Sequence, residues 1–327
     1  MMKKRTAWIV PIGLTTLALL SLVAIGCGGG GGDGDGDFDG ADGASTQLNS
    51  GVFTDSPVAG LQYRTDTQTG VTDEEGTFHY RDGETIDFHL GDADLGSAPA
   101  EPLMTPLHLV SGAEDETDPH VTNMVRFLQT LDADGEPANG IHIPSEMQAF
   151  MEGRVIDFRM SETMFETDPD VEKFMDDLMR RDGYGHVDGM VEIHEAQDHM
   201  RETLTEQMAG HYTAEYDGDD AGVMEIDVHE DGTFQGTATS HLDDQTHAVS
   251  GVVESDGELH FNDAGDFDFT GEIHRGMGPG QSRTLEVSAM HEDGMGAPDD
   301  GSDMPDQGDD GDHSPGMGMQ SVVGATL

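Results

Sequence analysis

Cysteine and tryptophan each occur once in 327 residues. A single cysteine excludes an intramolecular disulfide, so no crosslink helps to hold the fold. The lone tryptophan, Trp8, lies in an N-terminal stretch with the marks of an export signal. A processed chain would therefore lack the Trp platforms that line many sugar sites. Basic residues are scarce too: Lys and Arg total 14 against 67 Asp and Glu, a net charge of −53. Loss of residues 1–26 would remove Lys3, Lys4 and Arg5 but no acid, taking −53 to −56 and leaving Lys173 as the last lysine. Phosphate backbones and anionic headgroups repel such a polyanion, which excludes nucleic acid as a partner. A carboxylate-rich, lysine-poor surface suits solvation in high salt, a halophilic pattern; weak collective cation binding is the alternative. Linear catalytic motifs are missing as well: there is no G-x-S-x-G elbow, and no lysine follows a serine in an S-x-x-K arrangement. Carboxylates are too plentiful for a paired-acid glycosidase site to stand out.

What is there begins with the export signal. Met1 to Arg5 is basic, Ala7 to Gly26 is uncharged and mostly apolar, and Cys27 follows. The ending Leu22-Val23-Ala24-Ile25-Gly26-Cys27 resembles a bacterial lipobox, although Ala24 stands where leucine is commoner. The resemblance implies lipidation of Cys27, cleavage before it, and attachment to a membrane. Gly28 rather than Asp after the cysteine implies sorting to the outer membrane or cell surface of a Gram-negative envelope. The alternative is an uncleaved membrane helix, but the stretch is barely long enough and holds Pro11 and Gly13.

Residues 27–50 read as a Gly/Asp-rich flexible tether with too little apolar content to order itself. From 51 to 103 the pattern is β. Apolar residues alternate in Thr77-Phe78-His79-Tyr80 and Thr85-Ile86-Asp87-Phe88-His89-Leu90, with turn signals at Glu75-Gly76, Asp82-Gly83 and Gly91-Asp92. Short, regularly punctuated strands predict an N-terminal antiparallel β-sandwich. Gly70-Val71-Thr72-Asp73-Glu74-Glu75-Gly76-Thr77-Phe78-His79-Tyr80 resembles the signature of transthyretin-like, carboxypeptidase-regulatory-like modules. Those are non-catalytic sandwiches of secreted proteins.

Residues 104–209 read as a helical connector. Helices are predicted at 119–131, 170–181 and 193–208 from apolar periodicity, with Pro119 near the first start. The block from Val121 to Leu131 and the Asp-Gly loop after it are similar to uncharacterised Gram-negative surface lipoproteins, over roughly 51–210. In that loop Asp132, Asp134 and Asn139 are candidate ligands for calcium. The EF-hand spacing fails, because Pro137 and Ile143 stand where glycine and glutamate belong. His194-Glu195-Ala196-Gln197-Asp198-His199 likewise has one residue too many for the zinc motif H-E-x-x-H, so the two imidazoles cannot share one ion. Glu195 with His199, and His194 with Asp198, are expected to be surface ion pairs.

Residues 210–327 read as an antiparallel β domain, a meander or small barrel. Strands are expected at 210–216, 222–229, 232–240, 246–254, 257–262, 266–275 and 282–290, with a possible last strand at 321–327. Residues 291–319 form an acidic insertion expected to be disordered; His291, His313, Met295, Met304, Met317 and Met319 make it a copper candidate. If the strands close, the interior holds either packed side chains or a small apolar ligand. The resulting expectation is an α+β, non-enzymatic, lipid-anchored envelope protein with no cofactor and a protein or carbohydrate partner. Calcium or copper handling ranks second and an unrecognised hydrolase third.

Overall fold

The computed structural model describes residues 47–242, 244–263, 267–274 and 283–291. Cys27, most of the tether, the acidic segment from 292 onward and the expected strand at 321–327 lie outside them. The described residues form an α+β structure of sheets, a helical middle and a C-terminal seven-stranded barrel. None of their helices is long and apolar enough to cross a membrane.

Strand β1 (Asn49–Phe53) pairs antiparallel with β5 (Thr77–Tyr80) and parallel with β8 (Leu103–Met104). The parallel partner departs from the wholly antiparallel expectation. It supplies carbonyls to β1 and the residue after it: Val52 N–H donates to Pro102 O at 2.9 Å and Thr54 N–H to Met104 O at 2.8 Å. A second, antiparallel sheet has the order β4 (Thr69–Val71), β3 (Gln62–Arg64), β6 (Thr85–Leu90), β7 (Ala93–Pro99). Aromatic rings from the two sheets meet: Phe53 and Phe88 are 4.5 Å apart, and Phe78 and Phe88 5.3 Å apart, edge to face. Such pairs add about 0.5–1.5 kcal/mol beyond burial.

The residues of the Gly70–Tyr80 run have distinct physical tasks. The Thr72 hydroxyl donates to Val58 O at 2.6 Å and accepts from Leu61 N–H at 3.0 Å. The Asp73 carboxylate accepts from the amides of Glu75 and Thr77, closing the turn. Gly76 sits at φ 74°, and a Cβ there would lie 2.6 Å from the Phe53 carbonyl. Phe78 and Tyr80 then point into the core.

Helix α1 (Pro119–Thr130) starts on Asp118, whose side chain accepts from the amides of His120 and Val121. Every residue from Val121 to Thr130 is buried. Met124, Phe127 and Leu128 join Phe53, Phe78 and Phe88 in a single core that also takes in α4 (Pro169–Leu178) through Phe174, while Val121 and Val125 face α5 (Ile193–Glu206). The β region before 103 and the helices after it are therefore packed as one body. The buried polar residues of α1 bond to loops instead: Asn123 Nδ2 donates to Phe158 O and Met160 O, and Arg126 Nε donates to Val191 O at 2.6 Å. Helix α5 (Ile193–Glu206) lies on α1 through Ala196, Met200 and Leu204. Between α1 and α5 run the two-residue strand β9 (Ile141–His142), parallel to β2 (Val58–Ala59), and two short helices, α2 (Glu146–Met151) and α3 (Glu162–Glu166).

The barrel comprises β10 (Gly210–Gly218), β11 (Gly222–Val228), β12 (Thr233–Ser240), β13 (Thr246–Val253), β14 (Glu258–Asp263), β15 (Phe267–His274) and β16 (Thr284–His291). Consecutive strands alternate in direction. An odd number of them makes the first and last run the same way, so the closing pair is parallel: Asp217 opposite Ser288 and Gly218 opposite Ala289. Met224, Ile226 and Val228 face inward, while Glu225 and Asp227 face water. Of the two fillings expected, side chains occupy the interior. Tyr216 meets Phe269 at 5.2 Å, Phe269 meets Phe261 at 5.7 Å, and Phe261 meets Phe234 at 5.1 Å.

Candidate functional site

Among the described residues, a gathering of reactive groups lies where β1 turns into β2. Thr54 and Pro57 form a bridge across a tight turn with Asp55 and Ser56 at its corners. Ser56 takes φ 58°, a left-handed conformation that is uncommon for a residue with a side chain. Asp55 is completely buried. Two helices supply its partners. Gln129, from the polar side of α1, donates through Nε2 to Asp55 Oδ2 at 2.8 Å. His199, from α5, places Nδ1 2.9 Å from Asp55 Oδ1. Its other ring nitrogen, Nε2, is 3.2 Å from Ser56 Oγ.

The chemistry of the groups assigns the protons. A carboxylate only accepts, so Nδ1 of His199 carries a hydrogen. Gln129 Nε2 also lies 3.2 Å from Nδ1, but that is a contact between two donors and not a second bond. Burial disfavours a charged His199 ring, yet the bond to Asp55, the Asp55 charge, Glu202 and the Pro137 carbonyl outweigh it and raise its pKa above the ordinary value. The result is a buried carboxylate in line with a half-buried imidazole and a half-buried hydroxyl.

This placement corrects the expectation for His199. It is not paired with Glu195 on the surface; its side chain is 17% exposed and turned toward the β1–β2 turn. It follows Ala196 by three positions and precedes Met200 by one, so it sits on the margin of the face that α5 buries against α1. Asp198 likewise pairs with Arg201, at 2.6 Å, and not with His194.

The calcium candidates lie nearby in sequence but are arranged differently. Asp132 is fully buried and accepts through Oδ1 from His142 N–H and through Oδ2 from Glu136 N–H, both at 2.9 Å. Asp134 accepts from Glu136 N–H at 3.0 Å and from Asn139 Nδ2 at 3.2 Å. Burial first, and then the neighbouring Asp134, push the Asp132 carboxyl up. The bonds from Asn139 and the Glu136 amide hold Asp134 down. These side chains thus staple the loop that carries Pro137 to the His199 ring. Among the described residues no group of three or more His, Cys, Asp or Glu side chains is placed to hold a metal ion.

The barrel carries a half-open cavity of about 890 Å³. Tyr216, Leu259 and Val287 line it with Glu215, Glu258, Glu272, Glu286 and His274, and Ala113 and Glu114 from the helical region close one side. His274 lies 3.1 Å from Glu272 and 3.3 Å from Glu286, so part of the acidic lining is tied together.

Cys27 and the His/Met tail beyond His291 lie outside the described residues. Asp55, Ser56 and Gln129 were not singled out by the sequence, and His199 only as a failed zinc ligand. The one linear signal for the turn is Asp-Ser-Pro between two apolar runs, a common turn composition. Compared with known proteins, the chain matches no family model, no curated protein and no solved structure.

Proposed function

We propose that the chain is a lipid-anchored protein of the bacterial envelope, at the outer membrane or cell surface, with a binding or adhesion role. The run Leu22–Cys27 carries this reading: a basic start, an apolar stretch and small residues lead to the lone cysteine, and a Gly/Asp spacer follows it. Several acyl chains on and beside that cysteine would anchor the chain stably, where one would not. The spacer would then let the folded body stand off the membrane.

The two N-terminal sheets are taken as a small β-sandwich of the transthyretin-like kind, a reading supported by the ring contacts between β1 and β6. The barrel is taken as the binding element. Its packed interior favours the half-open cavity, lined by carboxylates and His274, as the seat of a protein or carbohydrate partner. Intact-mass measurement on protein from the native host tests the anchor. The expected species begins at Cys27 with the added mass of acyl chains, and Cys27→Ala moves the protein to the soluble fraction. Retained Met1 with an unmodified thiol would overturn the reading.

A further inference from the structure

We propose that Ser56 is a nucleophile, with His199 as its general base and Asp55 as the residue that positions the ring, forming a site for acyl transfer from small esters to water. This goes beyond a binding role and departs from the expectation of a chain without enzymatic activity. It does not depend on the lipid anchor.

The arrangement has the order that such chemistry requires: hydroxyl, imidazole, carboxylate. Ser56 Oγ is 3.2 Å from Nε2, and Nδ1 is 2.9 Å from Asp55 Oδ1. The carboxylate is fully buried, as an orienting acid should be, and Gln129 holds its second oxygen at 2.8 Å. The hydroxyl and the edge of the ring remain partly open to solvent. Ser56 takes φ 58° in a turn spanned by the Thr54–Pro57 bridge, and its hydroxyl lies toward His199 of α5. Glycine or asparagine would suit that corner better on backbone grounds alone, and strained residues of this kind cluster at functional sites. Among the described residues nothing accepts from the amide of Ser56. A nucleophile's own N–H beside its Oγ is well placed to stabilise an oxyanion.

The step balances without any redox partner. As the Oγ–carbon bond forms at the ester carbonyl, the Ser56 proton passes to Nε2. The tetrahedral adduct collapses by breaking the bond to the leaving alcohol, which takes the proton from the ring. Water then attacks the acyl-serine by the same route, releasing the acid and restoring Ser56. Nε2 must be unprotonated to begin. The Pro137 carbonyl, Asp55 from the turn, and Glu202 and Glu206 on α5 itself all favour the charged form of the ring. Reaction should therefore switch on at a higher pH than an ordinary imidazole base would set.

The test uses the full chain, both wild type and Cys27→Ala, with a fluorophosphonate probe and with p-nitrophenyl acetate. The expected result is one fluorophosphonate adduct per chain, mapped to the peptide containing Ser56, at a rate that rises with pH through the titration of His199. Ser56→Gly fits the positive φ and removes the hydroxyl, so it should fold and lose the label. His199→Gln should slow labelling at least about 100-fold, in keeping with loss of a general base. Asp55→Asn should move the pH profile to lower pH, a shift that a merely structural role would not cause. Unlabelled wild type with a native circular dichroism spectrum, labelling of Ser56→Gly at the wild-type rate, or an adduct mapped to another serine would each overturn the proposal.

Discussion

Replacing His199 by alanine tests whether the buried pair holds the fold. The change removes the imidazole from Asp55, which is 0% exposed and would keep a single side-chain partner, Gln129. Removing one member of a buried ion pair costs about 3–5 kcal/mol, because the other charge stays desolvated. His199 is itself 17% exposed, so water can reach part of the vacated space, and the expected loss is about 3 kcal/mol at the lower end. Asp55→Asn leaves a ring that can release its proton and is partly reached by water, so it should cost less, about 1–3 kcal/mol for a damaged hydrogen bond. The double variant should then lose at least about 1 kcal/mol less than the two singles together, since the groups touch.

Equilibrium denaturation at fixed salt gives these values, and its pH dependence supplies an independent arm. The folded state raises the pKa of His199 above 6.5, despite burial, through Asp55. Between the unfolded and folded pKa values the native ring therefore holds a proton that the unfolded ring has released. The contribution is fully present below 6.5 and is lost as pH climbs through the folded value. His120, whose pKa is lowered by burial and then by Arg159, slopes the opposite way, so the informative quantity is the difference between wild type and His199→Ala. That difference should shrink steadily on the alkaline side. A His199→Ala variant within about 0.5 kcal/mol of wild type at pH 6 would refute the reasoning, being no more than an ordinary surface change.

Three further substitutions address the body around the site. Phe127→Ala, at a fully buried ring touching Phe158 and Phe174, should cost about 3–5 kcal/mol. The N-terminal sheets and helices α1 and α4 should still lose hydrogen-exchange protection together on heating, because their core is shared while the barrel has its own; loss of one before the other would show that it is not. Gly60→Ala should destabilise by well over about 1 kcal/mol, since φ is +89° and the new Cβ would lie 2.0 Å from the Ile143 carbonyl. Gly83→Ala, at φ +82° with nothing within 4 Å, meets the backbone strain without the clash and should cost distinctly less in the same denaturation assay.

Much of the architecture was legible because it rests on local periodicity. The barrel strands follow the alternation of Met224, Ile226 and Val228 and the Asp-Gly turns between strands, and their observed limits depart from the expected ones by a residue or two. Helix α1 was legible from Pro119 and its apolar spacing. Its burial on every side was not, because Asn123, Arg126 and Gln129 look like a wet face until the loops that bond to them are in place. The parallel pairing of β1 with β8 was hidden for a related reason. Strand direction is set by where the chain returns, and the two-residue β8 has no pattern of its own.

The site was illegible for a stronger reason. Ser56 and His199 are separated by 143 positions, and Asp55 and His199 by 144, so no spacing rule can join them. The sequence instead offered decoys in which polar residues crowd locally, His194 to His199 and Asp132 to Asn139. In both, the crowding follows from other demands: α5 alternates a buried and a wet face, and the loop carboxylates satisfy their own backbone amides. In a chain with 67 acids, local clusters of carboxylates are expected by composition alone. Asp132 is as buried as Asp55 but is met by backbone amides of its own loop; what sets Asp55 apart is that it leaves water against side chains distant in sequence, already fixed to receive it. Here those partners come from α1 and α5, two helices that must first pack on each other. The reactive arrangement is therefore a consequence of the tertiary core, and it should vanish whenever α5 separates from α1.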